Sequence, residues 1–162
     1  MGKVLIVSDT HGSKDRLKDV IKREKPFDLL VHCGDLGFSE SDLMVMADTP
    51  VYAVAGNTDY CFDLSPMVLF DYSGHKIFVS HGHPYHVDYS LDNITYRAEE
   101  LGADIVMYGH THVPCLKEIN GITILNPGSL ERPRQAGNEP TYMVMETEID
   151  KKCEIVLKKY TF

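Results

Sequence analysis

Five apolar runs of strand length punctuate the chain: "KVLIV" from residue 3, "LLVHC" from 29, "VYAVA" from 51, "KIFVS" from 76 and "DIVMY" from 104. Their apolar residues run on without alternating, the pattern of strands covered on both faces. The segments between them have helical spacing. Leu17, Val20 and Ile21 share one helix face, with Ser13 placed to cap it and Pro26 to stop it. Ser39 and Asp42 resemble a capping box ahead of Leu43, Met44 and Met46. Leu91, Ile94, Ala98 and Leu101 form a third stripe, which Gly102 ends. "ITILN", "TYMVME" and "EIVLKKY" add strands with hairpin-like connections. The Pro/Gly-rich stretch 126–140, "NPGSLERPRQAGNEP", reads as a surface loop. The class is α/β, with a strand-rich last third.

Composition narrows this. With 162 residues, 43% of them hydrophobic, the chain suits one domain over 1–162 with a two- or three-layer core. A formal charge of -8 with no basic stripe argues against a grip on long nucleic acid or on an anionic membrane. "MGKVLIV" is too short an apolar run for a secretory segment or a membrane span. Cys33, Cys61, Cys115 and Cys153 are widely spaced with no Cys-x-x-Cys pair, so they read as reduced thiols of a cytoplasmic protein.

The chemistry gathers where the apolar runs stop. The first ends in Asp9 and His11, the second in Asp35, the third in Asn57, the fourth in His81 and His83, the fifth in His110 and His112. In open α/β sheets, ligands bind outside the carboxyl ends of strands, so residues far apart in sequence would converge there. Each alone has an ordinary use as a turn or loop residue. Together, Asp9, Asp35, Asn57, His11, His81, His110 and His112 form a mixed oxygen and nitrogen donor set. Such a set suits Mn, Fe, Zn or Ni, whereas calcium prefers oxygen alone and structural zinc prefers thiolate. Seven donors exceed one tetrahedral ion with an open position, and suit two ions roughly 3.5 to 4 Å apart that share a bridging carboxylate. Asp35, directly after a glycine, is the candidate bridge.

The ordered series Asp-x-His, Gly-Asp, Gly-Asn, His-Gly-His and Gly-His-x-His resembles the calcineurin-like metallophosphoesterases, in particular their small single-domain bacterial and archaeal phosphodiesterase branch. "NPGS" from Asn126 and "PR" at Pro133 are similar to that branch too, and the likeness covers essentially the whole chain. It implies two facing mixed β-sheets flanked by helices, a four-layer αββα sandwich with its site at one rim. It also implies two divalent ions, Mn first, with Fe, Zn, Ni or Mg as alternatives. Asp9, His11, Asp35 and His112 would hold one, and Asp35, Asn57, His81 and His110 the other.

The implied activity is phosphodiester hydrolysis by a hydroxide bridging the two ions, on a small phosphoester. Two dications bring four positive charges, Asp9 and Asp35 return two and the hydroxide one, so an acidic protein still draws an anionic substrate to the site. One position departs from the wider family. Where many members carry a histidine after Gly-Asn to assist the leaving group, this chain has Thr58, a poor general acid, and Asp59 would have lost the histidine it orients. Good leaving groups are therefore expected to react best, unless His83 or His86 substitutes. Ser129, Arg132 and Arg134 are candidates to bind substrate phosphate. Alternatives are a phosphomonoesterase or nucleotide hydrolase on the same site, or a non-catalytic interaction scaffold of the same fold. The class admits a homo-oligomer.

Overall fold

The computed structural model describes residues 2–149 and 151–161. The elements follow in the order β1 (Gly2–Val7), α1 (Asp15–Glu24), β2 (Leu29–His32), α2 (Glu40–Ala47), β3 (Val51–Ala53), β4 (Met67–Tyr72) and β5 (His75–Ser80). A 3-10 turn (His83–Tyr85), α3 (Asp92–Leu101), β6 (Ile105–Met107), β7 (Cys115–Ile119), β8 (Ile122–Asn126), β9 (Thr141–Thr147) and β10 (Glu154–Lys159) complete the chain. They form two five-stranded sheets, ordered β10-β9-β1-β2-β3 and β4-β5-β6-β8-β7. In the first, β1, β2 and β3 are parallel. In the second, β5, β6 and β8 are parallel, with β4 and β7 as antiparallel edges.

Successive strand residues face opposite sides, and β1 buries both. Leu5 and Val7 pack with Leu17, Val20 and Ile21 of α1 and with Leu43 and Ala47 of α2. Val4 and Ile6 face the other sheet, where Ile77, Val79, Ile105 and Met107 meet them. Phe78, Val106 and Ile124 turn outward onto Ile94 and Ala98 of α3. The result is the expected αββα sandwich, in four layers where length alone suggests two or three. Strands of three to seven residues make each layer small. Each fully buried Leu, Ile, Val or Phe contributes about 1.5–3 kcal/mol.

Local expectations hold with exceptions. The first helix is capped by Lys14 without a side-chain bond, not by Ser13, whose amide donates to the Thr10 carbonyl. It stops where expected, because a residue before proline is driven out of the helical region, and Lys25 is extended. Ser39 does cap α2, accepting from the Asp42 amide at 3.1 Å. That short helix buries Leu43 and Ala47 and leaves Met44 exposed. Gly102 ends α3 in the left-handed region, its amide on the Ala98 and Glu99 carbonyls. The expected 126–140 loop begins one residue later, since Asn126 closes β8. Strands β4 and β7 were not foreseen.

Candidate metal centre

All the parallel strands deliver their carboxyl ends to one rim. Asp9 and His11 follow β1, Asp35 follows β2 and Asn57 follows β3 on one sheet; His81 follows β5, and His110 and His112 follow β6 on the other. Five of these seven residues, Asp9, His11, Asp35, His110 and His112, adopt positive φ between 47° and 72°. For a residue with a side chain this costs about 1 kcal/mol each, so the fold holds strained backbone at this rim. Two glycines permit the crowding. Gly34 has φ 106°, and a Cβ there would collide with the His81 ring. A Cβ on Gly56 would strike the backbone and carboxylate of Asp35.

Each carboxylate is pinned by one oxygen and presents the other. Asp9 Oδ2 accepts from the Ser8 hydroxyl and from the His110 amide at 3.2 Å. Its Oδ1 is buried without a hydrogen bond, and faces Nε2 of His112 at 3.2 Å, of His11 at 3.7 Å and of His81 at 3.8 Å. Asp35 Oδ1 accepts from the Thr58 amide at 3.0 Å and hydroxyl at 2.7 Å. That leaves Oδ2 to face His81 Nε2 at 3.2 Å and His11 Nε2 at 3.7 Å. Ligand atoms of Asp9, His11, Asp35 and His112 all lie within 4.8 Å of one another.

The imidazole tautomers follow from their outer partners. A carbonyl only accepts, so Nδ1–H of His81 donates to Cys33 O and Nδ1–H of His112 to Arg132 O, each at 2.7 Å. Their Nε2 lone pairs then point inward. His81 Nε2 lies 3.1 Å from Asn57 Oδ1, His110 Nδ1 lies 3.2 Å from the same oxygen, and His11 and His112 bring their Nε2 atoms to 3.1 Å. With no proton on these inner nitrogens, acceptors converging this closely repel unless a cation lies among them; in its absence protons on the imidazoles take that place. The orphaned Asp9 oxygen and these facing lone pairs are what a divalent ion with nitrogen and oxygen ligands would satisfy.

The electrostatics agree. Burial alone would raise Asp9, but the imidazoles of His11, His112 and His81 and the Ser8 hydroxyl hold its carboxyl well below the usual range. Asp35 is likewise lowered: His81 and Thr58 outweigh the burial that opposes them. His81 is raised, since Asp35, Asp9 and the Cys33 carbonyl override burial. The rim attracts positive charge.

The remaining candidates separate. His83 lies beside the Asn57 side of the rim, its ring 5.4 Å from that of His81 and 6.0 Å from that of His110, with Nδ1 buried and unpartnered. Burial pushes its pKa down, with His81 and His110 adding to the shift. His86 is exposed in the turn that follows. Arg132 and Arg134 are exposed on a loop tied to His112 in both directions, through Arg132 O and through the Arg134 amide on the His112 carbonyl at 3.0 Å. Ser129 is fully buried, with its hydroxyl donating to Asp9 O and accepting from the Glu131 and Arg132 amides. It holds the loop and offers nothing to an open pocket.

Three residues carry parts that the sequence did not disclose. Asp59 is not idle: it is buried, and its oxygens accept from the amides of Leu36, Gly37 and Gly56. His32 is also buried, pushed down to about 4 by burial despite nearby carboxylates. Its Nδ1 accepts from the Gly34 amide, so its Nε2–H donates to the Thr10 hydroxyl, which donates onward to Leu36 O. A histidine inside an apolar strand was the available signal. Asp88, 2.8 Å from His110 Nε2, follows no apolar run and gave none.

A profile of the calcineurin-like phosphoesterase superfamily domain matches residues 3–150. A probable metallophosphoesterase of Bacillus subtilis, YsnB, is 39% identical over 148 residues, spanning 91% of this chain and 85% of that protein. Phosphodiesterase YfcE of Escherichia coli K12 is 25% identical over 177 residues, with 92% and 90% covered. A predicted phosphoesterase from Streptococcus pneumoniae TIGR4 superimposes with a TM-score of 0.86 at 28% identity, over 98% of this chain and 89% of that one. Vps29 of Entamoeba histolytica, a single mutant, shares the fold with a TM-score of 0.77 at 22% identity, over 98% and 99%.

Proposed function

Because the chain belongs to the calcineurin-like phosphoesterase superfamily, we propose that it is a metal-dependent phosphodiesterase acting on a small phosphodiester. In this reading Asp9, His11, Asp35 and His112 hold one divalent ion, Asp35, Asn57, His81 and His110 hold a second, and Mn is the metal. The observation that carries it is the buried, unpartnered Asp9 Oδ1 facing three imidazole nitrogens, the signature of a cation ligand. When bound, such ions activate a nucleophile and neutralise charge that develops on phosphorus.

The protein's own residues do the rest. Asp35, with one oxygen fixed by Thr58, offers a single oxygen toward both ligand groups. Arg132 and Arg134, whose guanidinium groups make no ion pair among the described residues, flank the His112 side and suit the non-bridging oxygens of a phosphate. The Thr58 hydroxyl is committed to Asp35 and Asp59 to three backbone amides, so neither donates a proton to a departing oxygen. His83, uncommitted and beside the second ligand group, is the residue we assign to assist the departing oxygen; burial holds its pKa down, so it is a weak acid catalyst at neutral pH and good leaving groups still react best. The intact donor set favours catalysis over a scaffold role, since the likeness to Vps29 speaks for the fold alone. No helix of the described residues is long and apolar enough to cross a membrane, in keeping with a small dissolved substrate met in the cytoplasm.

A series of aryl and alkyl phosphodiesters tests this on the Mn-loaded protein. Rates should fall steeply as leaving-group pKa rises, and His83→Ala should slow poor leaving groups more than good ones. No turnover of any diester sinks the activity, and a flat dependence sinks the leaving-group preference.

A further inference from the structure

Among the anchored imidazoles, His110 has a different kind of outer partner. His81 and His112 turn an N–H to main-chain carbonyls, of Cys33 and Arg132. His110 Nε2 instead lies 2.8 Å from Asp88 Oδ2, on a half-exposed side chain with no other hydrogen bond among the described residues. Asp88 is nonetheless well placed. The turn that carries it is closed by the Tyr89 and Ser90 amides on the His86 carbonyl, and the preceding Val87 is buried in the α3 core.

The pairing has two effects on the ligand group to which His110 belongs. A carboxylate accepts, so it fixes the ring proton on Nε2 and directs the Nδ1 lone pair toward Asn57 Oδ1, 3.2 Å away. It also brings charge. The first ligand group contains Asp9 and Asp35, whereas the second shares Asp35 and otherwise consists of the neutral Asn57, His81 and His110. Asp9 of the first group stands close by, its Oδ1 3.8 Å from His81 Nε2, and Asp88, one imidazole away, adds a further negative charge on the His110 side.

We propose that Asp88 is a positioning residue for the second ion: it orients His110 and supplies charge that the neutral ligands lack, and so sets the affinity of that ion relative to the first. This rests on the two-ion reading above, but not on the identity of the substrate.

Calorimetric titration of the metal-free full chain with Mn²⁺ tests it. The wild type should take up two ions in separable steps. Asp88→Ala should weaken the second step about 10- to 100-fold and leave the first unchanged. Asp88→Asn keeps an oxygen to accept from Nε2–H but not the charge, and should fall between. Melting of the three metal-free proteins should coincide. The proposal is overturned if Asp88→Ala binds both ions as the wild type does, if both steps weaken equally with a lower metal-free melting temperature, or if the wild type takes up a single ion. The two readings fail separately. A protein that binds two ions in this manner yet cleaves no phosphodiester refutes the activity and keeps Asp88's role; one that cleaves diesters while Asp88→Ala binds normally does the reverse.

Discussion

Asp59 illustrates what a single buried carboxylate can hold in place. Its Oδ2 accepts from the Leu36 and Gly56 amides at 3.1 and 2.9 Å, and its Oδ1 from the Gly37 amide at 3.1 Å. It thereby clamps the loop that presents Asp35 to the loop that presents Asn57. Asp59→Ala leaves these amides without their acceptor, at about 1–3 kcal/mol for each that stays unsatisfied. A loss of about 3 kcal/mol or more is expected in urea unfolding. Asp59→Asn should lose less, because an amide oxygen at the Oδ2 position keeps two of the bonds. Equal midpoints for all three proteins would mean that water replaces the carboxylate. The sequence disclosed the candidate ligands that the rim brings together but not this clamp, and the reason is physical. Candidate ligands announce themselves by side-chain type after an apolar run. The partners of Asp59 are backbone amides up to 23 residues away, and that of Ser129 is a carbonyl 120 residues away; main-chain groups leave no trace in composition.

Among the elements, α1 is fastened to the first sheet by its last residue. Glu24 is an acid at a helix C-terminus, where the macrodipole disfavours negative charge. Lys3 of β1 at 3.1 Å, the Tyr142 hydroxyl of β9 at 2.7 Å and Lys158 of β10 at 2.9 Å compensate. Burial by itself would raise the Glu24 pKa; Lys158, Tyr142 and Lys3 outweigh it and lower the pKa. The unfolded chain therefore binds that proton more readily, so the stabilisation is whole above the unfolded value, about 4.3, and fades as pH falls toward the folded one. In melts from about pH 7 to about pH 3, Glu24→Gln should trail the wild type at neutral pH and approach it in acid. A gap that does not change with pH would assign the loss to packing. Buried strands and capped helices were legible because their patterns are strong. Strand β4 opens with the apolar residues Met67 to Phe70, a run as long as those of the buried strands that was not foreseen as a strand, whereas β7, "CLKEI", is an edge strand with little buried and no apolar run. The turns before their partners did signal them: Ser73-Gly74 and Asn120-Gly121 are left-handed pairs suited to two-residue hairpins.

At the scale of the molecule, the rim lies across the two sheets, which otherwise meet through an apolar interior. Loops after β1, β2 and β3 bring Asp9, His11, Asp35 and Asn57, and loops after β5 and β6 bring His81, His110 and His112, in positions that confront like lone pairs and hold five residues at positive φ. Cations bound there would join one sheet to the other and relieve that repulsion, and the unfolded chain would lose the arrangement. Binding to the folded state alone adds about 2.7 kcal/mol at a ligand concentration 100 times Kd. For a domain of this length that is a rise in Tm of roughly 5–10 °C. Mn²⁺ should therefore raise the melting temperature of the metal-free protein and a chelator should reverse it. Mg²⁺ at the same concentration should do less, because imidazole donors suit Mn better than Mg. His112→Ala, which removes a donor without touching the inter-sheet core, should blunt the response to Mn²⁺ more than it lowers the metal-free melting temperature. If melting is indifferent to every divalent ion, the facing lone pairs are held by protons on the imidazoles, and a cation does not join the two sheets.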